Sequence, residues 1–227
     1  MLTWQNLMLS QLQETANARS MQILRRHNLL VDWSYVKAHN PGRDLPYHNN
    51  QHLMNMIRMS ADIAAILEAD YEYHVDFKVM LLAAMFHDFD HSGGILPDSS
   101  NIQRAVAGWH VWAENVNYSN SMRVSVERAI RCTQYPFVIE PSTKEQRILR
   151  DADLMSSLEP LGIPMLMHGL RAELAIAGRP MTLQEFADGQ LAFIDSIGFF
   201  TPAADSLYRS ARVHMQAVMQ QYAKEHQ

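Results

Sequence analysis

An apolar run that ends in ionisable side chains constrains this sequence more than any other feature. Residues 76–86 are mostly apolar and have the length of a buried helix. His87 and Asp88 follow directly. His91 lies four residues after His87, on the same helical face, and glycines 93–94 then break the helix. Ionisable groups at the end of a buried helix are costly unless something compensates them. A bound metal would do so, because it keeps histidines neutral and carboxylates ionised.

Helical patterns fill most of the remaining chain. They predict helices over 3–29 (as one or two), 47–67, 76–86, 101–117, 119–133, 142–154, 164–178, 182–197 and from 202 almost to 227. Capping boxes are predicted at 142–145 and 182–185, and an N-cap at 98–101. No segment has the alternating, β-branched pattern of a strand, and no internal repeat is present. The sequence therefore predicts an all-α, compact single domain over residues 1–227.

Composition and charge narrow the possible partners. A chain of 227 residues with 48% hydrophobic content can bury a sizeable core. The net charge of -5 and the lack of a Lys/Arg-rich run argue against binding polymeric nucleic acid. The single cysteine, Cys132, suits a reducing compartment. Neither a signal-peptide pattern nor a bilayer-spanning apolar stretch is present. We expect a soluble, cytoplasmic protein with no membrane partner; the sequence does not specify its oligomeric state.

More candidate metal ligands lie near the ends of other predicted helices. His48 and His52 are four residues apart at a helix start, so both can point one way. The resulting candidate ligands are His52, His87, Asp88 and Asp153, which lie on three predicted helices. Imidazoles and carboxylates without thiolates suit Zn²⁺, Fe, Mn²⁺ or Mg²⁺ and leave positions open for water. A metal-bound water ionises near neutral pH and becomes a nucleophile, so these residues predict a metallohydrolase.

Four short blocks carry a likeness to known enzymes. Residues 47–52 read Tyr-His-Asn-x-x-His, 87–93 read His-Asp-x-x-His-x-Gly, 152–154 read Ala-Asp-Leu, and 190–195 read Gln-x-x-Phe-Ile-Asp. In these blocks the chain resembles the HD-domain metal-dependent phosphohydrolases, and within them the class I cyclic nucleotide phosphodiesterases. The matched core runs from about residue 47 to residue 200, roughly two-thirds of the chain. The resemblance implies an HD-type, phosphodiesterase-like helical fold.

The resemblance implies a reaction and two metals. The substrate would be a 3′,5′-cyclic nucleotide such as cAMP or cGMP, hydrolysed to the 5′-monophosphate by a metal-bound hydroxide. The first metal, expected to be Zn²⁺, would be held by His52, His87, Asp88 and Asp153. Asp88 would also bridge to a second metal, Mg²⁺ or Mn²⁺.

The resemblance also implies roles for single residues. His48 would be the general acid that protonates the departing ribose oxygen. His91 would orient solvent or phosphate, and Thr133 would lie beneath the second metal. The substrate-binding residues would be Tyr47, Gln190 and Phe193, with Gln190 pairing with the base edge and Phe193 stacking on its face.

The chain also departs from the phosphodiesterase pattern. It is much shorter than the catalytic domains of the animal enzymes. Gln134 stands where they commonly have aspartate. The segment after Asn101 has no clear counterpart of the glutamate that supports the second metal's water ligands. These departures bear on the second metal and on substrate specificity.

Other functions fit part of the pattern. One is an HD phosphohydrolase acting on linear nucleotides, and another is a di-iron HD oxygenase with His110 as an extra ligand. A third is a nucleotide-binding sensor without catalysis, which would not need His48 as a general acid. More simply, His110 is a helix residue outside the site, and Asp90 and Asp195 are structural acids.

Overall fold

The computed structural model describes residues 4–71, 73–156, 158–159 and 162–226, with side chains from residue 10 onward. The described residues form helices and no strands, so the all-α prediction is confirmed. The helices are α1 Trp4–Arg26, α2 Leu30–His39, α3 Asn50–Asp70, α4 Phe77–Phe86, α5 Asp98–Asn115, α6 Asn120–Arg131, α7 Lys144–Ser156, α8 Gly162–Pro164, a π-helical segment Met165–Leu170, α9 Arg171–Ile176, α10 Leu183–Ile197 and α11 Pro202–Glu225. None of them is both long and apolar enough to cross a membrane.

The core is built around α3 and α4. Every residue of α4 from Val79 to Phe86 is buried. Helix α3 packs against both α4 and α7, and α4 also packs against α6 and α7. The predicted metal ligands lie on these same packed helices, because His52 is in the first turn of α3, His87 directly follows α4, and Asp153 is on α7. The core therefore positions the candidate site.

Side-chain caps fix where several of the helices begin, three of which bear on the predictions. The Asn49 side chain accepts hydrogen bonds from the backbone N–H groups of Gln51 and His52, which sets the start of α3. Asp76 caps α4 in the same way. Thr182 and Glu185 form the predicted capping box of α10, which is confirmed.

The predicted capping box at 142–145 is wrong by one residue. The reciprocal pair is Thr143 and Gln146: the Gln146 backbone N–H lies 3.3 Å from Thr143 Oγ1, and the Thr143 N–H lies 3.2 Å from Gln146 Oε1. Glu145 is engaged elsewhere, because its carboxylate accepts the backbone N–H of Asp76 at 2.9 Å. A tertiary contact to the start of α4 therefore displaces the local motif.

The predicted N-cap at 98–101 is also wrong. Pro97 occupies the N-cap position of α5, and no side chain caps this helix. The Asp98 carboxylate instead accepts the backbone N–H of Tyr135 at 2.6 Å. The Asn101 side chain contacts His91 and accepts the backbone N–H of Ser92. Both polar side chains make tertiary contacts near the candidate site.

Candidate metal centre

The structure brings the four predicted metal ligands together. The Nε2 atoms of His52 and His87 are 3.2 Å apart. Asp88 Oδ2 lies 3.1 and 3.0 Å from these two atoms, and Asp153 Oδ1 lies 3.5 and 3.7 Å from them. Ligand atoms about 2.1 Å from a metal lie about 3.4 Å apart in a tetrahedral site and about 3.0 Å apart in an octahedral one. The spacing therefore suits a divalent cation between His52, His87 and Asp153, with Asp88 beside both histidines.

The backbone orients one of the two imidazoles. Nδ1 of His87 lies 3.1 Å from the carbonyl oxygen of Ala84, one turn back along the chain. A hydrogen bond there places the proton on Nδ1 and leaves the Nε2 lone pair facing the other ligands. Both His52 and His87 are fully buried. Uncharged imidazole nitrogens aimed at two carboxylates are the ligand set that Zn²⁺ and related metals use.

The two histidines stabilise negative charge on the two aspartates, and the aspartates stabilise positive charge on the histidines. Burial alone would lower the pKa of His52, but hydrogen bonds to Asp153 and Asp88 outweigh it and raise the pKa. Burial is likewise outweighed at His87, where the charge of Asp88 raises the pKa well above its usual value. The same contacts hold the pKa of Asp88 and of Asp153 below the usual range against the effect of burial. Without metal, these contacts therefore favour the imidazolium and carboxylate forms of the four groups.

Metal binding should release protons, and more of them at lower pH. The raised pKa values favour the protonated forms of His52 and His87 when no metal is bound, and a metal ligand must lose its proton. We expect metal binding to release protons, and to weaken as the pH falls. Calorimetric Zn²⁺ titrations in buffers of different ionisation enthalpy measure the number of protons released. Release that grew only as the pH rose would instead point to solvent water as the source.

Beside the ligands lies a His-Glu pair, of which sequence reasoning found only the histidine. Glu173 on α9 is buried, and its Oε1 accepts the backbone N–H groups of Tyr47 and His48 at 2.8 and 3.2 Å. Its Oε2 lies 2.5 Å from Nδ1 of His48. Burial would raise the pKa of Glu173, but these contacts, chiefly the one to His48, lower it. An ionised Glu173 therefore holds a proton on Nδ1 of His48 and leaves Nε2 for chemistry.

His91 supports His48 through ring stacking. Their ring centroids are 3.6 Å apart with 29° between the planes. The backbone N–H of Gly93 donates to Nδ1 of His91 at 3.1 Å. Burial, followed by the positive charge of His48, lowers the pKa of His91 to about 3, so this ring is neutral. With Glu173 the two histidines offer three metal-ligating groups close together. Because the two imidazole rings are stacked, however, their nitrogen lone pairs point side by side. Glu173 is already hydrogen-bonded to His48. We therefore interpret this group as a hydrogen-bonded His48–Glu173 pair with the His91 ring stacked on it.

Asp98 is a second acid near the site that the sequence did not assign to it. Its Oδ1 lies 3.9 Å from Nε2 of His91, while Oδ2 accepts the Tyr135 backbone N–H. Burial raises the pKa of Asp98 to about 6, and the negative charges of Asp88 and Asp153 contribute in the same direction. Asp98 is therefore a further partly buried carboxylate near the negatively charged carboxylates of the candidate metal ligands.

Glycines let the helical segment that carries Glu173 approach two loops. A Cβ atom on Gly169 would lie 2.3 Å from the carbonyl oxygen of Pro46, directly before Tyr47. A Cβ atom on Gly94, whose φ is +88°, would lie 2.2 Å from the carbonyl oxygen of Glu173. These backbone contacts bring together the loop before α3, the loop after His91 and the segment from 165 to 176. The His48–Glu173 pair depends on that close approach.

Substituting Gly169 with alanine should therefore weaken both the fold and the His48–Glu173 pair. The new methyl group must push Pro46 away, which we expect to cost about 1–3 kcal/mol of unfolding free energy. Urea denaturation measures this cost. Gly189→Ala is the matched control, because that helical position has open space around it and alanine there should be neutral or stabilising. Equal stability of the two variants would contradict the close contact.

The predicted base-binding residues lie on α10, close to the loop after α6. The Phe193 ring contacts the Tyr135 ring edge to face, with centroids 5.3 Å apart. Tyr135 is joined to Asp98 through its backbone N–H, and Asp98 in turn lies near His91. Gln190 is half-buried, and among the described residues its amide has no hydrogen-bond partner. Base recognition by Gln190 and Phe193 stays a prediction.

Tyr47 and Thr133 have structural contacts beside their predicted roles. The Tyr47 side chain is buried, with its ring against those of His48 and His52. The Thr133 hydroxyl donates to the carbonyl oxygen of Ile130 at 2.8 Å, at the end of α6. Substrate contact by Tyr47 and second-metal support by Thr133 stay predictions.

Other polar residues considered from the sequence are engaged outside the metal ligands. His110 Nε2 lies 2.8 Å from Glu127 Oε2, and His110 is in neither potential metal-binding group of the described residues. Asp90 pairs with Arg104. Asp195 pairs with the side chains of Tyr208 and Arg212. These contacts agree with structural roles for all three residues.

In comparisons with known proteins, no family model and no curated protein matches this chain. The likeness to HD-domain enzymes therefore rests on the four sequence blocks and on the donor groups that they contain.

Proposed function

We propose that this protein is a metal-dependent phosphodiesterase of the HD-domain type that hydrolyses a 3′,5′-cyclic nucleotide to its 5′-monophosphate. One observation carries the proposal: the convergence of His52, His87, Asp88 and Asp153 beside the His48–Glu173 pair. A metal-ligand set alone suits many reactions. A histidine held by a buried glutamate next to that set adds the proton donor that cleavage of a sugar–phosphate bond needs.

The donor set suits two divalent metals of different kinds. Two imidazole nitrogens and two carboxylate oxygens suit Zn²⁺ in the first position. Mg²⁺ or Mn²⁺ beside Asp88 would be held mainly through water, and Asp98, whose carboxylate is influenced by the charge of Asp88, would accept hydrogen bonds from that water. When bound, the metals supply Lewis acidity toward water and the phosphoryl oxygens. Asp98 would then serve where the family has its glutamate.

The His48–Glu173 pair supplies the proton for the leaving group. Glu173 is held by two backbone N–H groups and cannot turn away from His48 without losing them. It accepts the Nδ1 proton of His48 in a hydrogen bond and so fixes which nitrogen faces the substrate. Nε2 of that ring can then donate its proton to the departing ribose oxygen. His91 stacks on His48 and limits the ring to one orientation.

The charges at the site favour a phosphodiester over a polyphosphate. Neither lysine nor arginine forms an ion pair with the four metal ligands among the described residues. Polyphosphates usually need such cations in addition to a metal. A cyclic nucleotide carries a single negative charge, which two metals and His48 can neutralise. Phe193 and Tyr135 would then contact the base face, and the Gln190 amide would contact its edge.

The test is hydrolysis of a nucleotide panel by the purified protein. The panel contains cAMP, cGMP, 5′-AMP and ATP, each assayed with Zn²⁺ plus Mg²⁺ or Mn²⁺ and again with EDTA. We expect metal-dependent conversion of a cyclic substrate to its 5′-monophosphate and no turnover with EDTA. Hydrolysis confined to the linear nucleotides, or a requirement for iron and O₂, would contradict the proposal. The absence of any turnover by metal-loaded protein would favour the sensor alternative.

A further inference from the structure

The loop between α6 and α7 lies against the predicted base-binding residues and is mostly exposed. It runs over residues 132–143, and the side chains of Tyr135, Val138 and Ile139 are exposed. The Tyr135 ring nevertheless contacts Phe193 on α10, with centroids 5.3 Å apart. Exposed side chains give a loop few apolar contacts, so its position depends on the hydrogen bonds and ring contacts that it does make. The groups that fix this loop therefore also hold Tyr135 against Phe193.

A buried arginine on α7 contacts this loop at its start, middle and end. Arg150 is 2% exposed, although its guanidinium is always charged. Its Nε donates to the carbonyl oxygen of Cys132 at 2.5 Å, and its Nη2 donates to that of Ile139 at 2.9 Å. Its guanidinium carbon also lies 3.6 Å from the centre of the Phe137 ring. One side chain thus holds the whole exposed stretch.

The same part of α7 also holds the connection that follows α10. The guanidinium carbon of Arg150 lies 5.8 Å from the centre of the Phe200 ring. The neighbouring carboxylate of Asp151 accepts the backbone N–H groups of Phe200 and Thr201 at 2.9 and 2.7 Å. Helix α10 carries Phe193 and ends just before this connection. Both partners of the Tyr135–Phe193 contact are therefore tied to the same turn of α7.

Arg150 makes its contacts without an acidic partner. In the described part of the chain, its hydrogen bonds go to carbonyl oxygens and its guanidinium packs on aromatic rings. Burying a cation in this way costs free energy that an apolar side chain of similar size would not cost. Neither an apolar side chain nor a lysine offers a planar fork that bonds two carbonyls and stacks on a ring at once. The shape of the guanidinium, rather than its charge alone, therefore suits this position.

We propose that Arg150 is a positioning residue for base recognition, because it holds the α6–α7 loop so that Tyr135 and Phe193 form one surface for the base. This inference rests on the proposed function, since it concerns the base of the cyclic nucleotide. Thr133 is fixed from α6 instead, because its backbone N–H and its hydroxyl both donate to the carbonyl oxygen of Ile130. Loss of the Arg150 contacts should therefore disturb base binding and leave the metal in place.

The test is Arg150→Lys, which keeps the charge and loses the planar fork. Two substrates are compared: the cyclic nucleotide and bis(p-nitrophenyl) phosphate, which has no base. For the nucleotide we expect KM to rise at least about tenfold and kcat to change less than about threefold. For the second substrate we expect kcat/KM to change less than about threefold, with metal content unchanged. Arg128→Lys is the matched control, because Arg128 is exposed on α6 and the same change there should alter neither substrate's kinetics.

Amide hydrogen exchange tests the position of the loop without turnover. The Tyr135 backbone N–H donates to Asp98 at 2.6 Å, and in Arg150→Lys we expect it to exchange at least about tenfold faster. The amides of the buried helix α4 should exchange at their original rates. Phe137→Leu removes the ring that packs on the guanidinium and should raise both KM and the Tyr135 exchange rate to a smaller extent. This variant decides the question if Arg150→Lys fails to fold.

Three outcomes would count against the positioning role. An unchanged KM for the nucleotide in Arg150→Lys would overturn it, as would an unchanged exchange rate of the Tyr135 amide. Equal losses on the two substrates would overturn it as well, because Arg150 would then support the metal centre. Failure of the unaltered protein to hydrolyse any cyclic nucleotide would instead contradict the proposed function, so the two failures are distinguishable.

Discussion

Replacing Asp88 with asparagine should remove the bound metal and reduce phosphodiester hydrolysis at least about 10³-fold. Asp88 Oδ2 lies within 3.1 Å of both histidine ligands, so its negative charge acts on both of them. An amide cannot supply that charge, and a divalent metal would lose much of its attraction to the site. Metal content by mass spectrometry and kcat/KM for the cyclic substrate measure the two losses. Circular dichroism should be unchanged, because Asp88 caps no helix.

Asp90→Asn is the matched control for this variant. It makes the same chemical change two residues away, in a carboxylate that pairs with Arg104 and not with the metal ligands. Asparagine also tolerates the φ of +62° at this position. We expect metal content and kcat/KM near those of the unaltered protein. Full activity of Asp88→Asn, or equal losses in both variants, would rule out the metal-dependent mechanism.

Local sequence was sufficient to predict which candidate metal ligands the structure brings together. His87 and Asp88 follow an apolar run too hydrophobic to lie at the surface, and His52 follows the N-cap of its helix by three residues. Such patterns are informative because a helix end fixes where its side chains point. The all-α fold followed from the same periodicity. Helix ends were less predictable where a tertiary contact competed, as when Glu145 bonded to the start of α4 rather than capping its own helix.

Contacts distant in sequence were not predictable. Glu173 lies 126 residues from Tyr47, whose backbone N–H it accepts, and its own neighbours read as an ordinary helix. The only available clue was an acidic residue followed by Leu174 and Ala175 in a partly apolar segment. Asp98 was interpreted as a helix cap because the local pattern fits one equally well. Which of two hydrogen bonds a carboxylate makes depends on packing, and packing is not encoded within a few residues.

The metal ligands and the His48–Glu173 pair have different structural supports. The metal ligands lie at or near the ends of α3, α4 and α7, which pack together in the core. The pair depends instead on the close backbone approach of Gly169 to Pro46. Because the two supports are separate, changes to the pair should leave the metal in place. Metal binding and proton donation can therefore be tested independently.

His48→Gln should reduce hydrolysis of the cyclic nucleotide about 10²- to 10⁴-fold while retaining the metal. Glutamine cannot deliver a proton to the departing ribose oxygen, which is a poor leaving group as an alkoxide. The nitrophenolate released from bis(p-nitrophenyl) phosphate is a stable anion and needs no proton. For that substrate we therefore expect a loss of less than about tenfold. Comparing kcat for the two substrates separates proton donation from damage to the metal centre.

The variant Glu173→Gln should show the same contrast between the two substrates, because it removes the carboxylate that accepts the Nδ1 proton of His48 and orients the ring. His74→Gln is the control, since His74 is exposed and lies outside the site. Equal losses on both substrates in His48→Gln would mean that His48 acts on the phosphoryl group or the metal rather than on the leaving group. A loss confined to the cyclic substrate would assign the proton to His48, because only that substrate has a leaving group that requires one.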